Sequence, residues 1–176
     1  MKINTAIEKA YQQLKKNEIK SPGLDSEILL SKVIKKSREY IILNSNHDIN
    51  DKDYYNFKKL INERSKGKPI AYLTGTKFFW KYEFFINDKV LIPRPDTEII
   101  VEQVLNLYEK KNNINFLEIG VGSGCILLSI LKQREDFKAT GIDISNEALK
   151  ICNINAYKLK VKNRVKLFKS DIDKFS

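Results

Sequence analysis

Cysteine is nearly absent from this chain: Cys125 and Cys152 are the two among 176 residues. A pair of thiols builds no disulfide framework, and these two lack the companions of a zinc site. Neither has the surroundings of a nucleophile. Glycine (7) and proline (4) are also scarce, which excludes long flexible linkers. No apolar run reaches the roughly 18 residues of a membrane span, because Lys, Asn or Glu interrupts each one. The opening Met1-Lys2-Ile3-Asn4 carries no apolar signal core. The single histidine, His47, lies in a polar loop and is expected to be exposed. With 42% hydrophobic and 31% charged residues, the chain reads as globular, and a reducing cytoplasm is its expected compartment.

What is abundant is lysine. The net charge of +10 is uneven, +7 over residues 1–85 and +3 over residues 86–176. Such an excess invites a nucleic-acid reading. The lysines, however, are spaced singly along helical faces, and Arg, the better reader of phosphates and base edges, is scarce. A solvated surface is the plainer reading, and nucleic acid is not expected as a direct substrate.

Two textures divide the chain. Residues 1–68 show helical periods only and are expected to form a small bundle. Thr5-Ala6-Ile7-Glu8 has the form of a capping box, followed by a stripe of Ile7, Ala10, Tyr11 and Leu14. Asp25 is positioned to cap a second helix, and a third carries Tyr54, Phe57, Leu60 and Ile61 before Gly67. Residues 69–95 are expected to be a linker. They hold an aromatic stretch, Phe78 to Ile86, suited to a β-hairpin, and an extended run to Pro93-Arg94-Pro95. Residues 96–176 then alternate: a helix from Asp96 or Thr97, strands at 114–119, 138–142 and 164–168, and helices between them. That is the opening half of a doubly wound α/β sheet.

Between the first of these strands and its helix lies Glu118-Ile119-Gly120-Val121-Gly122-Ser123-Gly124. Glycine permits backbone angles and close approach that other residues forbid, so a ligand can lie against main-chain amides at a helix start. Asp143 follows the turn at the end of the next strand, where a carboxylate can accept from both ribose hydroxyls. The spacing departs from the dinucleotide fingerprint, and Glu118 adds a negative charge that disfavours pyrophosphate. An amino group with a sulfonium suits it, which points to S-adenosyl-L-methionine. Asp171 can then meet the adenine amino group, with Ile172 against the ring, and Ile144 is a further expected cofactor-site residue.

Arg94-Pro95-Asp96-Thr97-Glu98 ahead of the E-x-G-x-G-x-G turn resembles the glutamine methyltransferases that modify peptide chain release factors. Asp25-Ser26-Glu27-Ile28-Leu29-Leu30, the run Gly67 to Gly75, Phe79-Trp80 and Leu91 to Pro95 agree with it. The resemblance implies a helical domain that recognises the release factor, a hairpin linker and a Rossmann-like class I methyltransferase domain. The reaction it implies is methylation of the glutamine side-chain amide in a Gly-Gly-Gln motif. Arg94 and Thr97 join Glu118, Val121, Ser123 and the glycines as expected cofactor-site residues. The family's catalytic Asn-Pro-Pro-Tyr does not occur in these 176 residues. The chain accordingly resembles a truncated member, is assigned no catalytic residue and is expected not to methylate alone. Two alternatives remain: an adenine-N6 nucleic-acid methyltransferase, and a non-catalytic remnant that binds a protein partner.

Overall fold

The structure is a computed structural model that describes residues 1–174. It divides into two units, one of residues 1–74 and one that begins at Gly75. The division falls inside the stretch 69–95 expected as a linker, so the aromatic hairpin belongs to the second unit.

The first unit holds α1 (Ile3–Lys16), α2 (Pro22–Ile34), α3 (Arg38–Leu43), α4 (Asp51–Ser65) and α5 (Ile70–Thr74). Its core gathers Ala6, Ala10 and Leu14 of α1, Leu29 and Leu30 of α2, and Phe57 and Ile61 of α4. Two expected helix starts are corrected. Helix α1 begins at Ile3, with Lys2 as a cap that makes no side-chain bond, so Thr5 and Glu8 form no capping box. The reason is tertiary: the Ile3 and Asn4 amides donate to the carbonyls of His47 (2.9 Å) and Ser45 (2.8 Å). The helix can therefore start ahead of Thr5 with its free donors satisfied. Likewise α2 starts at Pro22, whose missing N–H costs nothing in a first turn. Asp25 points inward instead and accepts from Arg64 Nε at 2.7 Å. The short α3 was not anticipated, although its cap was legible: Ser37 Oγ accepts from the Tyr40 amide.

In the second unit, β1 (Thr76–Phe79) and β2 (Tyr82–Phe85) form the expected antiparallel hairpin. Residues 86–94 run irregularly to a 3-10 turn at Pro95–Thr97 and then α6 (Glu98–Leu107). Next come β3 (Asn115–Ile119), α7 (Cys125–Gln133), β4 (Lys138–Asp143), α8 (Asn146–Lys158) and β5 (Val165–Lys169). The three strands are parallel in the order β3-β4-β5. Parallel strands require such helical crossovers, which is why apolar strands alternate with amphipathic helices in the sequence. The sheet face carrying Gly141 packs on α7: a Cβ there would lie 3.2 Å from Leu127. Alternation puts Leu117, Ile119 and Phe168 on the other face, where they are exposed.

Candidate cofactor site

The turn after β3 is left-handed at all three glycines, with φ of 72° at Gly120, 53° at Gly122 and 78° at Gly124. The reasons for glycine differ. A Cβ at Gly124 would lie 2.6 Å from Cys152 Sγ and 2.8 Å from Leu128 Cδ1, so that glycine serves packing. A Cβ at Gly120 would meet nothing within 4 Å, and one at Gly122 only the Gly120 carbonyl at 3.9 Å. There the backbone is bare toward open space. That space is a cavity of about 530 Å³ lined by Gly120, Val121, Gly122 and Ser123, by Glu118 and Asp143, and by Arg94 and Thr97.

The expectation of free main-chain amides in this turn is corrected. The Gly120 and Val121 amides both donate to the Ile142 carbonyl (2.8 and 3.1 Å), and the Gly124 amide donates to the Val121 carbonyl (2.7 Å). The Gly122 amide donates to Asp143 Oδ2 at 2.9 Å. These bonds fix the turn's shape, and what it offers a ligand is absence of side chains rather than a row of donors.

Asp143 therefore organises the site before any ligand arrives. Its Oδ2 holds Gly122 and its Oδ1 accepts from the Ser145 amide at 2.9 Å. Each carboxylate oxygen has a second lone pair, so capacity remains for ribose hydroxyls. Asp143 is separated from the glycine turn in sequence by a whole helix and strand, yet it is in direct contact with the turn in space.

Glu118 has a role its sequence position did not disclose. Helix α7 is capped by Gly124, which has no side chain, and Glu118 Oε2 accepts from the Leu127 amide at 2.8 Å in its place. Burial first, and the neighbouring Asp143 second, push its carboxyl up to about 8, against the lowering pull of the Leu127 bond. The negative charge expected beside the turn is thus largely neutralised near pH 7 in the ligand-free protein. Burial likewise raises Cys125 to about 11 and Cys152 to about 12, which favours the thiol form of both.

Not every expected residue reaches the cavity. Gly124 faces the α8 side, and Ile144, Asp171 and Ile172 are exposed and outside the cavity lining. The Ser170 amide donates to the Asp143 carbonyl at 3.2 Å, so the chain leading to Asp171 starts beside the acid. Sequence reasoning missed Pro93, Cys125, Ile126, Ser145 and Ala148, all of which line the cavity. For Ser145 and Ala148 a signal existed, since a helix start directly after Asp143 must face the same opening. His47 is exposed in the other unit, 3.5 Å from the Tyr40 hydroxyl. Among the described residues no cluster of potential metal ligands occurs, and no helix is long and apolar enough to cross a membrane.

The donor set fits an adenosyl cofactor: bare glycine backbone, one carboxylate with spare acceptor capacity, one enclosed carboxyl able to ionise toward a cation, and apolar Val121, Ile126 and Ala148 between them.

Comparisons agree with this architecture. Residues 5–75 match the PrmC N-terminal domain, and residues 110–176 match a methyltransferase domain. A release factor glutamine methyltransferase of Buchnera aphidicola (subsp. Schizaphis graminum) is 42% identical over 163 residues, covering 93% of this chain and 58% of that protein. One of Leptospira interrogans is 40% identical over 174 residues, covering 97% and 60%. A bifunctional methyltransferase of Rickettsia prowazekii is 34% identical over 187 residues, covering 96% and 36%. The chain thus spans about three-fifths of the length of the first two relatives. In its two matched domains, their order and this identity over nearly all its residues, the chain is similar to release factor glutamine methyltransferases.

Proposed function

We propose that this chain binds S-adenosyl-L-methionine in the cavity beside Gly120 and belongs to a machine that methylates the glutamine amide of a release factor's Gly-Gly-Gln motif. The observation that carries the cofactor reading is the bare backbone at Gly120 and Gly122, hydrogen-bonded at Gly122 to Asp143. Asp143 accepts from the ribose hydroxyls with the lone pairs its two backbone bonds leave over. Glu118 ionises toward the ligand's positive charge. Val121 and Ala148 pack against the adenosyl group. Arg94 and Thr97 close the mouth, where Arg94 meets the ligand's carboxylate.

When bound, this cofactor supplies an electrophilic methyl group. The protein's task is then positional, because an amide nitrogen has a delocalised lone pair and must be held in line. The Asn-Pro-Pro-Tyr motif that grips the amide in the family does not occur in this chain. The 176 residues therefore bind cofactor in the cytoplasm without transferring the methyl group themselves. The helical unit, with its lysine-rich surface, recognises the release factor.

Calorimetry with S-adenosyl-L-homocysteine tests the first part: saturable heat is expected, and its absence sinks the cofactor reading. Isotope-labelled methyl transfer to a release factor tests the second, and label in the factor would refute inactivity. Retention of release factor by the immobilised chain is expected, and failure to retain it removes the partner assignment.

A further inference from the structure

One buried side chain joins the hairpin to the glycine turn. Asn155, in α8, is completely buried (0% exposed). Its Oδ1 accepts from the Phe85 amide at 2.7 Å. Its Nδ2 donates to the Phe85 carbonyl at 2.9 Å and to the Ser123 carbonyl at 2.9 Å. Both N–H bonds of the carboxamide are used, and reversing its ends would set an oxygen against two carbonyls. The orientation is therefore fixed by chemistry. Phe85 stands at a position of the hairpin whose N–H and C=O face away from the β1 ladder, and Asn155 supplies both partners. A buried polar group that must be fully satisfied holds its partners in register.

We propose that Asn155 is a positioning residue for the cofactor site: it clamps the Ser123 carbonyl while Asp143 holds the amide of the preceding Gly122. The turn is then pinned at two successive residues, by Asp143 at 2.9 Å on one and Asn155 at 2.9 Å on the next. The same carboxamide makes the end of β2 part of that support. Ligand-induced tightening of the turn is thereby transmitted to Phe85, far earlier in the chain. This inference rests on the cofactor reading above.

Asn155→Asp keeps the side chain's shape and the bond from the Phe85 amide, but removes both donations. Ile151→Ala, on the same helix at a buried position (3% exposed), is the control for lost stability alone. Calorimetric affinity for S-adenosyl-L-homocysteine should fall at least tenfold in Asn155→Asp and stay within twofold in Ile151→Ala. Equal affinities in the two variants overturn the proposal. If the unmodified chain takes up no ligand, the cofactor reading has failed, and hydrogen exchange without ligand decides the positioning role. Amides of residues 120–124 should then exchange at least tenfold faster in Asn155→Asp than in the control, and equal rates overturn it. If Asn155→Asp does not fold, exchange in the unmodified chain decides. Ligand should slow the Phe85 amide together with the turn, and slowing of the turn without Phe85 overturns the clamp.

Discussion

Glu118 Oε2 accepts from the Leu127 amide at 2.8 Å, so a residue at the end of a strand caps the helix that follows it. The helix needs this because its own cap position is Gly124, kept free of a side chain by Cys152 and Leu128. One carboxyl consequently serves two ends, the stability of α7 and the electrostatics of the cavity.

That dual service predicts a pH effect on stability. Glu118 holds its proton in the folded chain up to about pH 8, whereas the unfolded chain loses it near 4.5. Between these values the folded state binds the extra proton, so its stability falls as pH rises, by at most about 1.4 kcal/mol per pH unit for one group. Urea denaturation from pH 5 to 8 should show this decline. Glu118→Gln, which preserves the capping oxygen, should flatten it, and an undiminished decline in that variant would assign it elsewhere. Glu118→Ala loses the cap and should cost about 1 kcal/mol.

A cation placed beside the same carboxyl favours its ionised form. Binding of S-adenosyl-L-methionine between pH 6 and 8 should therefore expel a proton, and affinity should rise with pH through this interval. Heats measured in buffers of different ionisation enthalpy should diverge for the parent chain and coincide for Glu118→Gln. Coincident heats in the parent would remove Glu118 from the binding reaction.

The two outer glycines of the turn should separate stability from binding. Gly124→Ala combines a left-handed φ with contacts of 2.6 and 2.8 Å, and should destabilise the unit by at least about 2 kcal/mol. Gly120→Ala meets no atom within 4 Å and bears the backbone strain alone, about 1 kcal/mol. Its methyl fills the cavity wall, so affinity for S-adenosyl-L-homocysteine should fall tenfold or more while the protein stays folded. Thermal melts and calorimetry on both variants check the split.

In the helical unit, Asp25 and Arg64 form a pair at 2.7 Å with side chains only 8% and 17% exposed. Removing one partner leaves a charge enclosed without its counterion. Asp25→Ala should therefore destabilise this unit by about 3 kcal/mol, and the neighbouring surface pair Lys66–Glu63 should contribute less than about 1 kcal/mol. Denaturation followed by far-UV circular dichroism distinguishes them.

How the site could be anticipated depends on the range of the contacts that build it. The glycine turn and Asp143 were legible because β-α-β connectivity brings consecutive strand ends side by side, so a helix and a strand of intervening sequence close into one hydrogen bond to Gly122. The strand limits at 114–119 and 138–142 were read to within a residue for the same local reason. Asn155 and the Glu118 cap left no trace, since nothing in an amphipathic helix marks which buried amide will meet a hairpin 70 residues away. The Thr5–Glu8 box was misread because the chain at Ser45 and His47 supplies acceptors to the first turn, and local capping signals lose when a neighbour offers them.

The residue order by itself determined the alternation of helices and strands, the glycine turn and its distance from the acid. Short-range sterics and hydrophobic period set those whatever surrounds them. Only the tertiary structure decided which amides are already engaged, which carboxyl is enclosed enough to keep its proton, and which side chain braces the turn. Those depend on atoms brought together from distant stretches of chain, and on the exclusion of water where they meet.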